Sequence, residues 1–248
     1  MWNTPHMTMC RLLPQWNEVF FRVAQLRPRQ DSIWVARGQY RVLRSQWSEA
    51  LPGYARGLTN PKVHSNTLQY ASLLVLLDER NRYEQLCEDL AAQLGEPPDV
   101  LSASLTAEIC GLGSAQAVEP QQGVRWLEQW MDEHGARTHV LQVLGLACYR
   151  AGQYDQAVNY LEQSRNQSQE SRSWGVWGLK ARIWLVLAMC HQQQGRTQKA
   201  REGMETARQM VRVNGPDEGE VVQTPPMYWL QIHNLSYLTN SFRNGVSR

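Results

Sequence analysis

The stretch "LGLACYRAGQYDQAVNYLEQS", Leu144 to Ser164, has a helical composition from end to end and still contains Gly145 and Gly152. Inside a helix each glycine costs about 1 kcal/mol relative to alanine. Two glycines kept at this cost indicate that the backbone has a special task at these positions. Identifying that task decides the fold of the whole chain.

The same helical pattern extends in both directions from this stretch. Apolar residues recur at i, i+3, i+4 and i+7 in nearly every segment, and no segment shows the sustained alternation of a strand. Clusters of Gly, Pro, Asn and Ser separate the segments, with weaker breaks near Ser45 and Asn81. We predict an all-α fold of about 11–12 helices, stacked as antiparallel pairs. Residues 1–213 would form the repeat array, and residues 214–248 a polar loop, a capping helix and a tail.

The composition argues against several classes of partner. The chain has 248 residues, of which 42% are hydrophobic and 19% charged, and its formal net charge is only +2. This weak charge argues against a nucleic-acid partner. No apolar run approaches the roughly 20 residues of a membrane span, and the N-terminal residues lack the apolar core of a secretory signal. With five widely spaced cysteines, we predict a cytoplasmic protein with reduced thiols and no membrane contact.

From Leu141 onward the residue spacing resembles the signature of the tetratricopeptide repeat (TPR), a pair of antiparallel helices. In that family a small residue of the first helix lies where the two helices cross, which implies this role for Gly145, with Ala157 at the matching position of the second helix. Gly152 would take the left-handed turn between the helices. The resemblance implies a right-handed α-solenoid. The matching residues are Leu141, Leu144, Gly145, Cys148, Gly152, Tyr154, Ala157 and Leu161.

Other segments fit the same template with decreasing fidelity. Residues 70–98 resemble a degenerate repeat in which Leu74 and Leu86 replace the small crossing residues, and residues 100–134 fit as a pair with an expanded turn. We expect the chain to begin in the middle of a repeat. Two further good matches contain Trp34, Gly38 and Ala50, with Ser45 in place of the turn glycine, and Trp184, Ala188, Gly195 and Ala200. The N-terminal half-repeat contains Phe21, Ala24 and Pro28.

The order of good, degenerate and expanded repeats resembles the TPR tails that follow serine/threonine kinase or β-propeller domains in some bacterial signalling proteins. The chain has no glycine-rich phosphate loop, no HRD motif and no DFG motif. It is therefore not expected to be the kinase itself.

The sequence does not assemble a catalytic or metal-binding set. His134 and His139 are separated by Gly135 and do not share a helix face. Cys190 and His191 are adjacent, and neighbouring helical residues point about 100° apart, so they cannot act as a nucleophile and base without a distant partner. We predict no enzymatic activity, no metal and no cofactor.

The resemblance implies a partner-binding groove lined by the first helix of each pair. The TPR groove that holds a peptide's terminal carboxylate needs paired Lys and Asn, and Val35 and Gln39 stand at those positions here, so that specificity is excluded. Trp174 and Trp177 either form an aromatic and basic binding edge or belong to an extended helix start. The remaining predicted groove residues are Val42, Gln142, Leu146, Tyr149, Arg182, Leu185 and Met189.

These features predict a noncatalytic module that docks another protein or a peptide in the groove. The alternative is a fragment or relative of a kinase-linked signalling protein, whose array recruits substrates or regulates the kinase. A third and weaker interpretation is an enzyme hidden in the groove or an RNA-binding array. The oligomeric state stays open.

Overall fold

The computed structural model describes residues 18–19, 22–23, 25–27, 30–59, 65–94, 99–113, 117–169, 176–214 and 230. These residues fall into two compact units, divided between residues 60 and 61. Regular structure in the described ranges is helical throughout, without a strand, as the sequence predicts. Phe21, Ala24, Pro28, Trp174 and nearly all of the predicted C-terminal capping segment lie outside the described residues.

Ten helices have defined bounds in these ranges. The first unit contains α1 (Asp31–Val42) and α2 (Trp47–Gly57). The second contains α3 (Ser65–Leu76), α4 (Arg80–Ala92), α5 (Val100–Cys110), α6 (Pro120–His134), α7 (Thr138–Arg150), α8 (Tyr154–Gln169), α9 (Val176–Gln193) and α10 (Thr197–Asn214). The predicted division into an array over residues 1–213 and a separate region over residues 214–248 stays a prediction.

The helices of the second unit form a linear stack of pairs. Each odd-numbered helix, here called a first helix, packs against the even-numbered second helix that follows it. It also packs against the second helix of the preceding pair and against the neighbouring first helices. In the first unit α1 packs against α2 in the same way. This nearest-neighbour packing is that of an α-solenoid.

Left-handed residues stand at four of the turns within pairs. Gly152 (φ 74°) and Gly195 (φ 70°) occupy the predicted turn position, and Ser45 (φ 55°) and Asp78 (φ 57°) adopt the same conformation. In each turn the next amide donates to a carbonyl five residues earlier, at 2.8 or 3.0 Å. This is the Schellman arrangement that ends a helix. The turns predicted at Gly152, Gly195 and Ser45 are confirmed, whereas the remaining one lies at Asp78 and not near Asn81.

The helix crossings are as close as the glycines predict. A Cβ atom on Gly145 would lie 2.5 Å from Cγ of Leu161, and one on Gly38 would lie 2.6 Å from the ring of Tyr54. The atoms nearest to Gly145 therefore belong to a large side chain, Leu161, rather than to the predicted Ala157. Ala157 is fully buried, and it lies one helical turn before Leu161. The other small repeat residues, Ala50, Ala188 and Ala200, are buried, and Trp34, Tyr154 and Trp184 are half-buried.

A second close contact was not singled out by the sequence analysis. Gly53 and Gly203 occupy equivalent positions in α2 and α10, each against the first helix of its own pair. A Cβ atom on Gly53 would lie 2.8 Å from the carbonyl oxygen of Trp34, and one on Gly203 would lie 3.3 Å from the carbonyl oxygen of Trp184. The equivalence of these contacts supports the repeat register in two separate pairs.

The expanded connection between α5 and α6 is held by side chains from other pairs. The hydroxyl of Tyr83 lies 2.9 Å from the carbonyl oxygens of both Ile109 and Cys110, and it accepts a hydrogen bond from the amide of Gly113 at 2.8 Å. Arg150 donates to the carbonyls of Gly111 and Leu112 at 3.0 and 2.9 Å. These bonds satisfy backbone groups that a helix end leaves without partners. The two helices predicted over residues 100–134 are present as α5 and α6, and they pack against each other.

Candidate protein-docking face

The residues predicted to line a groove are largely buried. In the first unit Gln39 is half-buried and Val42 is buried. The second unit contains Gln142 (1% exposed), Leu146 (2%), Tyr149 (8%), Arg182 (1%) and Met189 (3%). Side chains with so little exposure offer almost no surface to solvent. They do not form an open groove in this structure, and their contact with a partner stays a prediction.

In the second unit these residues share one face of the first helices. His139, Gln142 and Leu146 are spaced three and four residues apart on α7, and Arg182, Leu185 and Met189 have the same spacing on α9, which places each set on one side of its helix. Side-chain contacts between the first helices connect the sets. The first-helix face is defined here as Glu108 on α5, His139, Gln142 and Leu146 on α7, and Arg182, Leu185 and Met189 on α9.

A buried ionic group joins three first helices at this face. Glu108 is 2% exposed, and its Oε1 lies 3.2 Å from NH1 of Arg182, which is itself only 1% exposed. The second carboxylate oxygen lies 3.4 Å from Nε2 of His139, whose side chain is 43% exposed. The group therefore connects α5 to α9 across α7 and reaches solvent at His139.

The electrostatics of this group favour an ionised Glu108. Burial alone would raise the pKa of its carboxyl group, but His139 and Arg182 outweigh that effect and lower the pKa to about 2. The carboxylate consequently keeps its charge over the whole neutral and mildly acidic range. A buried charge of this kind is tolerated because its partners are close and supply hydrogen bonds.

Several polar atoms near the ionic group have unused hydrogen-bonding capacity. Gln142 donates through Nε2 to the carbonyl of Leu179 at 3.1 Å, which is a further link between α7 and α9. Within the described part of the chain, Oε1 of Gln142, Nδ1 of His139 and Oγ1 of Thr106 have no hydrogen-bond partner although they are buried. Such atoms are uncommon in folded proteins, because burial without a partner is unfavourable. They mark the first-helix face as a place where a further hydrogen-bonding group would be stabilised.

Sequence reasoning found part of this face and missed its centre. Gln142 and Arg182 were predicted from the repeat register, and the structure brings them together on adjacent first helices. Glu108 was missed because its pair is expanded and fits the template poorly. His139 was considered only as a metal ligand with His134, and the structure instead stacks the ring of His134 on Trp130, 4.6 Å between centroids.

The described thiols are poorly suited to nucleophilic catalysis. Cys148 and Cys190 are buried, and burial is the main cause that raises the pKa of each to about 12. For Cys110 a hydrogen bond with Cys87 is the main cause that raises the pKa, and burial raises it further. These three thiols are therefore protonated at neutral pH, whereas the reactive form is the thiolate. Among the described residues, no group of three or more His, Cys, Asp or Glu side chains could hold a metal ion.

The aromatic and basic edge is only partly described. Trp177 is half-buried at the start of α9, whereas Trp174 lies outside the described residues. The guanidinium of Arg165 lies 4.9 Å from the ring centroid of Trp184, and that of Arg56 lies 3.9 Å from the centroid of Trp34. In both contacts an arginine of a second helix stacks on the tryptophan that occupies the repeat position of a first helix. The binding edge at Trp174 and Trp177 stays a prediction.

None of the helices described here has both the length and the apolar character that crossing a bilayer requires. No protein-family model and no curated protein matches this chain.

Solved structures of MamA are similar to the chain at low identity. The "Crystal structure of MamA protein" is 13% identical, covers 74% of this chain and 92% of its own, and has a TM-score of 0.38. "MamA AMB-1 P212121" is 16% identical, with coverages of 73% and 98% and a TM-score of 0.38. "MamA MSR-1 C2" is 15% identical, with coverages of 74% and 97% and a TM-score of 0.37. At such identities and TM-scores the likeness supports no conclusion about function.

Proposed function

We propose that this chain is a noncatalytic module of the TPR type that docks a protein or peptide partner along the first helices of its stack. The supporting observation is the first-helix face of the second unit. There the buried, unpartnered Oε1 of Gln142 and Nδ1 of His139 lie on the same helix face as the apolar Leu146. A peptide with both apolar side chains and hydrogen-bonding groups is the ligand that suits this mixed set of residues, and it would reach them at His139, whose side chain is 43% exposed.

The experiment selects peptides from a displayed random library against the immobilised full chain and measures their affinity by fluorescence anisotropy. We expect His139→Ala to weaken binding about tenfold, a loss of about 1.4 kcal/mol, because this half-exposed residue belongs to the first-helix face. The matched control is His134→Ala, which removes an exposed histidine from the end of α6 and should leave affinity unchanged. Failure to enrich any peptide, or equal losses in both variants, would argue against the proposed function.

The kinase-linked alternative makes the same docking role part of a larger signalling protein. No contact among the described residues favours it over an independent module. Coexpression with candidate kinase domains, followed by purification of a stable complex, is the experiment that separates the two.

A further inference from the structure

A cleft of about 210 Å³ lies between α9 and α10, which form the last described pair. Of its lining residues, Leu185 and Ala207 are only 1% exposed and form the floor. The half-buried Arg208 and Val211 and the exposed Arg212 form the rim. Because the rim residues are accessible to solvent, a ligand can enter the cleft from outside.

The cleft gives access to the first-helix face. Leu185 belongs to that face, three residues after Arg182 and four before Met189 on α9. Arg182 and Met189 are 1% and 3% exposed and offer a partner almost no surface. At Leu185 the same face borders a cavity, so a side chain inserted into the cleft would contact the face directly.

The size and the floor of the cleft suit a single apolar side chain. Pockets for drug-sized ligands occupy about 300–1,000 Å³, and this cleft is smaller. Its floor consists of Leu185 and Ala207, and Val211 adds a third aliphatic group at the rim. Water gains few hydrogen bonds in such surroundings, so an aliphatic or aromatic side chain is the better occupant.

The charge at the rim is positive. Both charged residues that line the cleft are arginines, Arg208 and Arg212, and their spacing of four residues places them on one side of α10. NH1 of Arg212 donates to Oε1 of Gln209 at 3.2 Å, a bond to a neutral group that does not neutralise the guanidinium. The acidic residue of α10 nearest to Arg212 is Glu205, seven residues earlier, or about 10 Å along the axis. Salt screens attraction over this distance, so the rim favours a carboxylate from a partner.

We propose that the cleft between α9 and α10 receives an aliphatic or aromatic side chain of the partner peptide and that an adjacent Asp or Glu of the peptide pairs with Arg212. The inference rests on the proposed function and deepens it, because it specifies which peptides the module prefers. An apolar anchor buried in a pocket supplies most of the affinity of such a contact. The planar guanidinium, which binds a carboxylate through two parallel hydrogen bonds, selects for the acidic neighbour.

The test screens the full chain against a displayed peptide library with a central aliphatic or aromatic residue and random flanking positions. We expect the selected peptides to carry Asp or Glu close to the central residue. Affinity for such a peptide, measured by fluorescence anisotropy, should fall about tenfold in Arg212→Glu, because attraction becomes repulsion. The matched control is Arg201→Glu, at an exposed arginine of α10 that is not part of the lining, and its affinity should stay unchanged.

Two further measurements separate the charge from the cleft. A peptide with Lys in place of its acidic residue should bind Arg212→Glu more tightly than it binds the unmodified chain. Val211→Phe places a larger side chain at the rim and should weaken binding of every selected peptide. Val213→Phe makes the same kind of change at a residue that is 67% exposed and should leave binding unchanged.

Selected peptides without an acidic residue, or equal affinity of Arg212→Glu and Arg201→Glu for an acidic peptide, would overturn the inference and leave the proposed function standing. A marked drop in the melting temperature of Arg212→Gln would also overturn it, because the arginine would then serve the chain's own fold. A dimer that is lost in Arg212→Glu would overturn it in favour of a second copy. Affinity that depends on Arg212 and not on His139 would support the inference and argue against docking along the first helices. Failure to select any peptide would refute the proposed function and the inference together.

Discussion

Ser45 adopts a left-handed backbone conformation at a position that is occupied by glycine in two other repeats. Its φ of 55° is close to those of Gly152 and Gly195, and a residue with a Cβ atom pays about 1–2 kcal/mol for this conformation. Ser45→Gly removes this strain, but it also increases the conformational entropy of the unfolded chain, which offsets part of the gain. We therefore expect the variant to raise the free energy of unfolding by about 0.5–1 kcal/mol. Urea denaturation followed by circular dichroism measures the change.

The matched control for this prediction is Ser48→Gly. Ser48 is exposed in the first turn of α2, where glycine costs conformational entropy without relieving any strain, so this variant should lose about 0.5 kcal/mol or less. The two serines are close in the chain, and the same substitution should therefore have opposite signs. A loss of stability in both variants would contradict the role of Ser45 in the turn.

At the scale of the element, Gly53 and Gly203 allow the same helix contact to be compared in two pairs. In Gly53→Ala the new methyl group would lie 2.8 Å from a carbonyl oxygen and 2.9 Å from the amide nitrogen of Gly38, and backbone atoms cannot move aside as a side chain can. We expect a loss of about 2 kcal/mol or more. In Gly203→Ala the nearest atoms lie at 3.3 Å, and the gain in helix propensity of about 1 kcal/mol should cancel most of the strain. Thermal melts of both variants rank the two contacts, and a larger loss at Gly203 would refute the assigned register.

The expanded connection makes a second prediction at this scale. Tyr83→Phe removes the hydroxyl that contacts the carbonyls of Ile109 and Cys110 and the amide of Gly113. Because these backbone groups are then left without that partner inside the protein, we expect a loss of about 1–3 kcal/mol. Hydrogen exchange should increase first at the end of α5. Tyr154→Phe, in which the ring packed against Tyr149 is retained, serves as the control and should change stability little.

How much of each element the sequence predicts depends on whether the signal is local. The turn at Gly152 and the close crossing at Gly145 follow from residues within one pair. Both features are present, although Leu161 and not the predicted Ala157 lies nearest to Gly145. Ser45 was identified because its repeat is otherwise well matched. Glu108 and Tyr83 act through contacts with residues far away in the chain, and no spacing rule applies to them. The burial of Gln142 and Arg182 was also missed, because the repeat register predicts which side of its helix a residue occupies and not whether that side is exposed to solvent.

For the whole molecule, the ionic group of Glu108 makes stability depend on acid. The ordinary carboxyl pKa of 4.5 is lowered to about 2 in the folded chain, so the folded state binds this proton less readily than the unfolded state. The stabilisation is therefore complete above about pH 4.5 and is lost as the pH falls from there towards about 2. We expect Glu108→Gln to lower stability at neutral pH by about 3 kcal/mol or more and to reduce the acid dependence in this range.

Denaturation curves recorded between neutral and acidic pH measure both effects. The control is Glu202→Gln on the exposed side of α10, where the carboxylate accepts a hydrogen bond only from Gln198 among the contacts described. This variant should leave the pH dependence close to that of the unmodified chain. An unchanged acid response in Glu108→Gln would show that the ionic group does not contribute to the folded state in this way.

The contact between Glu108 and Arg182 also bears on how such an array can evolve. Tandem repeats lengthen or shorten by recombination that duplicates or excises one unit, and this works when each unit depends only on its neighbours. Here the carboxylate of Glu108 in one helix pair binds the guanidinium of Arg182 two helix pairs further along. Removing the helix pair between them, or inserting a copy of it, would change the distance between the two charges and leave both buried without each other as partner. We therefore expect the number of repeats in this part of the array to stay constant during evolution, in contrast to arrays in which single repeats are gained and lost.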